Sequence, residues 1–91
     1  MLKSKRLNKA VDDFAIAMKA RLAEKEKQGY RGWDKTTQNQ PDIGLAIAAK
    51  TKLQDMFNPL PSKSIDIHAT DIANYMMMLW YRYQKANRWS S

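Results

Sequence analysis

Residues Asp71-Ile72-Ala73-Asn74-Tyr75-Met76-Met77-Met78-Leu79-Trp80-Tyr81-Arg82-Tyr83 decide how the chain folds. The run has neither glycine nor proline, and its apolar side chains at Ile72, Tyr75, Met76, Leu79, Trp80 and Tyr83 recur at the three- and four-residue spacing of a helix. The spacing predicts a helix over about 69–86, with Asp66 or His68 near its start. Three successive methionines, followed by Trp80 and Tyr81, put apolar atoms on nearly every side of it. A helix apolar all round is either central to its own domain or buried in an oligomer interface. A chain of 91 residues offers it few neighbours, which favours a homo-oligomer. The alternative is that two other helices sandwich it completely.

Upstream, Leu7, Val11, Phe14, Met18 and Leu22 draw one apolar stripe along a first helix, about 7–28. Asp12, Asp13, Lys19, Arg21, Glu24, Lys25, Glu26 and Lys27 are assigned to its solvated outer face, and Gly29 suits its end. Residues 30–40, YRGWDKTTQNQ, show no period, so 29–40 reads as a loop. Loops of that length are usually functional or disordered. Pro41 fits the first position of a second helix, about 41–57, where Asp42 complements the positive end of the dipole. Ile43, Ile47, Leu53 and Phe57 continue that helix, and Ala46, Ala48 and Ala49 let another helix approach. Pro59 and Pro61 mark an extended connection. The expected fold is all-α: one domain over 1–91, three helices, completed by homo-oligomerisation.

So short a domain buries only about 60 to 65% of the surface of its unfolded chain, and with no cysteine and one histidine it has neither disulfides nor a thiolate or multi-histidine metal site to add stability. Sixteen Lys and Arg against nine Asp and Glu give a net charge of +7, which favours anionic partners; a merely well-charged surface is the plainer meaning. The N-terminus Met1-Leu2-Lys3-Ser4-Lys5-Arg6 leads into mixed charge, unlike a signal peptide, and no run of about 18 apolar residues occurs. The expectation is a cytoplasmic protein without membrane contact.

No nucleophile elbow, Walker lysine motif or His-Glu-x-x-His element occurs, so the expectation is a protein that is not an enzyme and takes no cofactor. Asp71, Tyr75, Met78 and Arg82 line one face of the third helix, with Asn74 beside them. That line reads as a pocket in which Arg82 holds phosphate or carboxylate, Asn74 reads a polar edge and Tyr75 stacks. The plainer alternative is dipole compensation by Asp71 and an amide bonded to a loop. Arg31, Trp33 and Lys35 alternate cation, aromatic and cation, a composition suited to a base and its phosphate, or to a tryptophan plug over the core with Asp34 capping a turn. Lys3, Lys5, Arg6 and Lys9 suit phosphate backbone, or a frayed basic arm.

The segments Gly29-Tyr30-Arg31-Gly32-Trp33-Asp34 and Asp71 to Trp80, with Phe14-Ala15-Ile16-Ala17-Met18, resemble a group of small phage and prophage proteins. Those carry a Gly-Gly-Trp-Asp segment and a final helix reading Asp-Val-Ala-Asn-Phe-x-Met-Met-Leu. The Asp-x-Ala-Asn element also looks like one helix of MazG-type all-α nucleotide pyrophosphohydrolases, in which an Asp helps to bind magnesium; Asp71 would occupy that position, with His68 where an acidic residue is expected. The first resemblance implies a phage-encoded accessory protein in which Trp33, Asp34, Asp71 and Asn74 share a site. The leading expectation is a homo-oligomer that binds a phosphate-bearing small molecule, such as a nucleotide immune signal, without turning it over. Arg31, Lys35 and Arg82 would meet phosphate while Trp33 and Tyr75 stack. The alternative is an inhibitor of a host protein, anchored by Met77, Met78, Trp80, Tyr81 and Trp89. Nucleic-acid binding ranks third.

Overall fold

The computed structural model of the chain describes residues 3–29, 32–38, 41–57 and 64–90, the last five without their side chains. Three helices follow one another: α1 (Lys5–Lys27), α2 (Asp42–Phe57) and α3 (Ile65–Ser90). The described residues are all-α. Helix α1 begins two residues before its apolar pattern, because the Ser4 hydroxyl accepts the Leu7 amide at 3.2 Å and caps the first turn. It ends at Gln28, followed by Gly29 at φ 87°, a left-handed conformation that glycine takes without a Cβ clash. Helix α3 starts at Ile65, earlier than the apolar period announces, since Asp66 supplies a carboxylate to its first turn. The Pro59–Pro61 connection lies outside the described residues.

Helix α3 is the centre: α1 and α2 each pack on it and not, among the described residues, on one another. What α3 turns inward is mostly polar. Thr70, Asp71, Asn74, Met78 and Arg82 are buried and fall along one side at helical spacing. The opposite side carries Met76, Trp80 and Tyr83, all exposed, Trp80 by 62%. The two other helices therefore do not enclose α3. Helix α2 shows the same division. Leu45, Ala49 and Met56 are buried against the core, while the stripe of Ile43, Ile47, Leu53 and Phe57 faces outward. Both helices are apolar on two faces, so periodicity could not say which one turns inward.

On α1 the predicted stripe is real but only half used. Met18 and Leu22 are half-buried against α3, whereas Leu7, Val11 and Phe14, one to three turns earlier on the same side, are exposed. The first three turns of α1 thus extend beyond the body of the fold. The open arrangement shows in the overall dimensions. The Cα radius of gyration is 14.9 Å, against about 12 Å for a compact chain of this length. The accessible surface is 7459 Å², against roughly 5,500 Å² for a compact monomer of this mass.

Candidate functional site

Two buried charges on the inner side of α3 hold the helices together. Asp71 is 2% exposed and meets both neighbours. Arg21 of α1 donates from Nε to Oδ1 at 2.9 Å and from its second terminal nitrogen to Oδ2 at 3.0 Å, and Lys52 of α2 reaches Oδ2 at 3.2 Å. Burial alone would push the Asp71 carboxyl up, but the hydrogen bonds and charges of Arg21 and Lys52 outweigh it and hold the group below the usual carboxylate range. Arg82, three turns along, fastens the loop: Nε donates to the Trp33 carbonyl at 2.7 Å and a terminal nitrogen to Asp42 Oδ1 at 2.9 Å. Thr36 also donates to Asp42 Oδ1, at 2.7 Å. These hydrogen bonds, first from Thr36 and then from Arg82, keep the Asp42 carboxyl low. Trp33 leans on Tyr81 with ring centroids 5.1 Å apart and planes at 56°.

Between α1 and α3 lies a cavity of about 20 Å³ lined by Leu22, Lys25, Asp71, Asn74, Tyr75 and Met78. It has the volume of a single water. Asn74 donates from Nδ2 to the Met18 carbonyl at 3.3 Å, and its Oδ1 is buried with no hydrogen-bonding partner among the described residues. Beside the cavity and sharing Leu22 and Lys25 with it, an open groove of about 180 Å³ runs between Glu26, Trp33 and Met77.

No protein-family model matches the chain, and no curated protein or solved structure matches it significantly. The chemistry therefore rests on these residues. The magnesium role that the MazG resemblance implies for Asp71 does not fit. Both carboxylate oxygens already face cations, and among the described residues no three His, Asp or Glu side chains gather as a metal site would need.

Of the residues expected around a ligand, the fold brings Asp71, Asn74 and Tyr75 to the small cavity and Trp33 to the groove beside it. Arg82 is turned inward instead, its side chain 3% exposed, and serves as the fastener of the loop. Asp34 lies 4.0 Å from Lys85, at the limit of an ion pair, and Lys35 is exposed. Arg31 lies outside the described residues. Among the residues expected to anchor a partner, Trp80 and Tyr81 are exposed, and Met77 is half-buried at the groove. Met78 corrects the expectation: at 3% exposure it is core, because its position on α3 falls in line with Asn74 and Arg82. The Trp89 side chain lies outside the described residues.

Arg21 and Lys25 are a second correction. Assigned to a solvated face, they meet Asp71 and line the cavity respectively. The signal was present: Arg21 stands between Met18 and Leu22 on the inward stripe, and Lys52 between Ala49 and Met56. A cation set into an apolar stripe calls for a buried anion.

Proposed function

We propose that this chain is a non-catalytic, phage-encoded accessory protein that docks onto a host protein through the free half of α1. One observation carries the reading: the stripe that packs on α3 at Met18 and Leu22 continues uncovered through Phe14, Val11 and Leu7. Anchors at i, i+4 and i+7 on a projecting helix are the side chains that a hydrophobic groove on another protein takes up. The charge beside them points to an acidic rim on that groove. Helix α1 has no acidic residue in its first turn, and Lys5 and Arg6 stand at the positive end of the dipole, an arrangement unfavourable in isolation that an anionic partner relieves. Self-association is the second part of the proposal, supported by the exposed apolar side of α3 at Met76, Trp80 and Tyr83.

Sequestration of a phosphate-bearing small molecule is the second reading. Asn74 Oδ1, without a partner among the described residues and beside the Trp33 groove, favours it, and the inward engagement of Arg82 counts against it. Nucleic-acid binding has the exposed basic residues of α1 in its favour, and the exposed Asp12 and Asp13 on the same turns count against it.

The test compares tagged wild type with Phe14→Glu in a bacterial host, followed by affinity measurement on the purified partner. The expectation is a stoichiometric partner whose binding weakens at least about 30-fold on Phe14→Glu, the loss typical of a buried hot-spot anchor. Equal binding by the variant overturns docking through α1. Melting against mono-, di- and cyclic nucleotides decides the second reading: a ligand at 100 times its Kd raises stability by about 2.7 kcal/mol, and a shift abolished by Asn74→Leu would establish it. A steep loss of affinity with salt would instead mark a nucleic acid.

A further inference from the structure

We propose that α3 pairs with α3 of a second copy of this chain, antiparallel, about a two-fold axis at Met76. The inference rests on the self-association reading and assigns it a surface and a register. It is independent of the docking of α1.

At 100° per residue, Ala69, Ile72, Ala73, Met76, Trp80 and Tyr83 all lie within about 60° of the Met76 direction. They form one face about 21 Å long at 1.5 Å per residue, directly opposite the buried line of Asp71, Asn74, Met78 and Arg82. No charged side chain interrupts that face between Ala69 and Tyr83. Two chains of net charge +7 would repel over most of their surfaces, but here they can meet without opposing like charges. Met76, Trp80 and Tyr83 on this face are 43%, 62% and 67% exposed, so the side chains that pairing would cover stand in water in the single chain.

The gradation of side-chain size along the face sets the direction. Its N-terminal end holds Ala69 and Ala73; its C-terminal end holds Trp80 and Tyr83. Antiparallel pairing about Met76 brings Tyr83 of one copy opposite Ala69 of the other, because both are seven residues from the axis. It brings Trp80 opposite Ile72, with Ala73 alongside, both Trp80 and Ile72 being four residues from the axis. Tyr83 then settles on Ala69, and Trp80 packs on Ile72 with Ala73 leaving room at its edge, twice over, as a two-fold contact requires. Parallel pairing would set indole against indole and leave a gap between alanines.

The chain contains no cysteine, so a single introduced one reports on this geometry without background. Light scattering is run on wild type and on Trp80→Lys, with helix content by circular dichroism. Met76→Cys and, as an exposed control on α1, Ile16→Cys are treated with an added oxidant. The expected result is twice the 10.6 kDa chain mass for wild type, the single mass for Trp80→Lys with unchanged helicity, and a disulfide-linked dimer that forms at least tenfold faster in Met76→Cys than in Ile16→Cys. A dimer that survives Trp80→Lys and does not cross-link in Met76→Cys overturns the α3 pairing and leaves self-association standing. A wild-type protein that stays monomeric at the highest concentration measured overturns both.

Discussion

Arg21 grips both oxygens of Asp71 at 2.9 and 3.0 Å across fifty residues of chain. With Lys52 on the same carboxylate at 3.2 Å, this one side chain joins α1, α2 and α3, although among the described residues α1 and α2 do not otherwise pack together. Fork-to-carboxylate geometry is the strong form of an ion pair. Here it stands in for an apolar core that, among the described residues, has only Leu45, Ala49, Met56 and Met78 well buried.

Asp71→Asn keeps the shape and removes the charge, leaving two cations facing a neutral amide. Breaking a buried pair from one side is expected to destabilise the fold by about 3 kcal/mol or more, read as a lower urea midpoint. Arg21→Lys, which retains charge but not the fork, is expected to lose about 1 kcal/mol. An Asp71→Asn protein within about 0.5 kcal/mol of wild type would contradict the role given to this carboxylate.

Acid should loosen the fold in a defined direction. Asp71 and Asp42 both have folded-state pKa values below those of free carboxylates. Their contribution is therefore complete above the unfolded value of about 3.9 and drains as pH falls through the lower folded values. Melting temperature is expected to hold steady from neutral pH to about 5 and to fall below about 4, and Asp71→Asn should flatten that fall. A variant as acid-sensitive as wild type would place the effect elsewhere.

Arg82→Ala removes the donors to the Trp33 carbonyl and to Asp42. Amide exchange over residues 32–38 is expected to quicken more than about tenfold, equivalent to about 1.4 kcal/mol of local stability, while α1 changes little. Arg82→Lys should rescue only part of this, since an ammonium lacks the planar fork that meets both acceptors. Unchanged exchange in the loop would show that contacts other than those of Arg82 hold it.

Glycine substitutions should divide by backbone. Gly44 lies within α2, where an added Cβ would stand 3.6 Å from Pro41 Cδ, an ordinary contact; Gly44→Ala is expected to stabilise by up to about 1 kcal/mol. Gly32 has φ 75° with open space around it, so Gly32→Ala should destabilise by about 1 kcal/mol through the backbone alone. Thermal melts of the two variants moving in the same direction would contradict this division.

The three helices were legible because periodicity and Pro41 and Gly29 are local signals. The inward faces were not. On α3 the run from Ile72 to Tyr83 has apolar groups on both sides, and what turns Asp71 and Arg82 inward are partners on other helices and the loop, far away along the chain. No spacing rule reports a pair at that distance. Of Trp33, Asp34, Asp71 and Asn74, which the resemblance groups into one site, Asp71 and Asn74 line the α1–α3 cavity with Tyr75, Trp33 lines the groove beside it and Asp34 lies by Lys85. Arg82, expected to be a ligand's cation, is instead taken up by the loop it secures.

The uncovered and packed halves of α1 are one uninterrupted helix from Lys5 to Lys27. From Lys5 to Phe14 every side chain except that of Asn8 is exposed, and so short a stretch without tertiary cover is marginal as a helix in water, while two turns farther on the same helix carries Arg21. Anything that grasps the free half and holds it helical removes the fraying of the same rod that delivers Arg21 to Asp71. By linkage, occupancy at one end tightens the junction at the other, so the arm and the three-helix junction behave as a single thermodynamic lever.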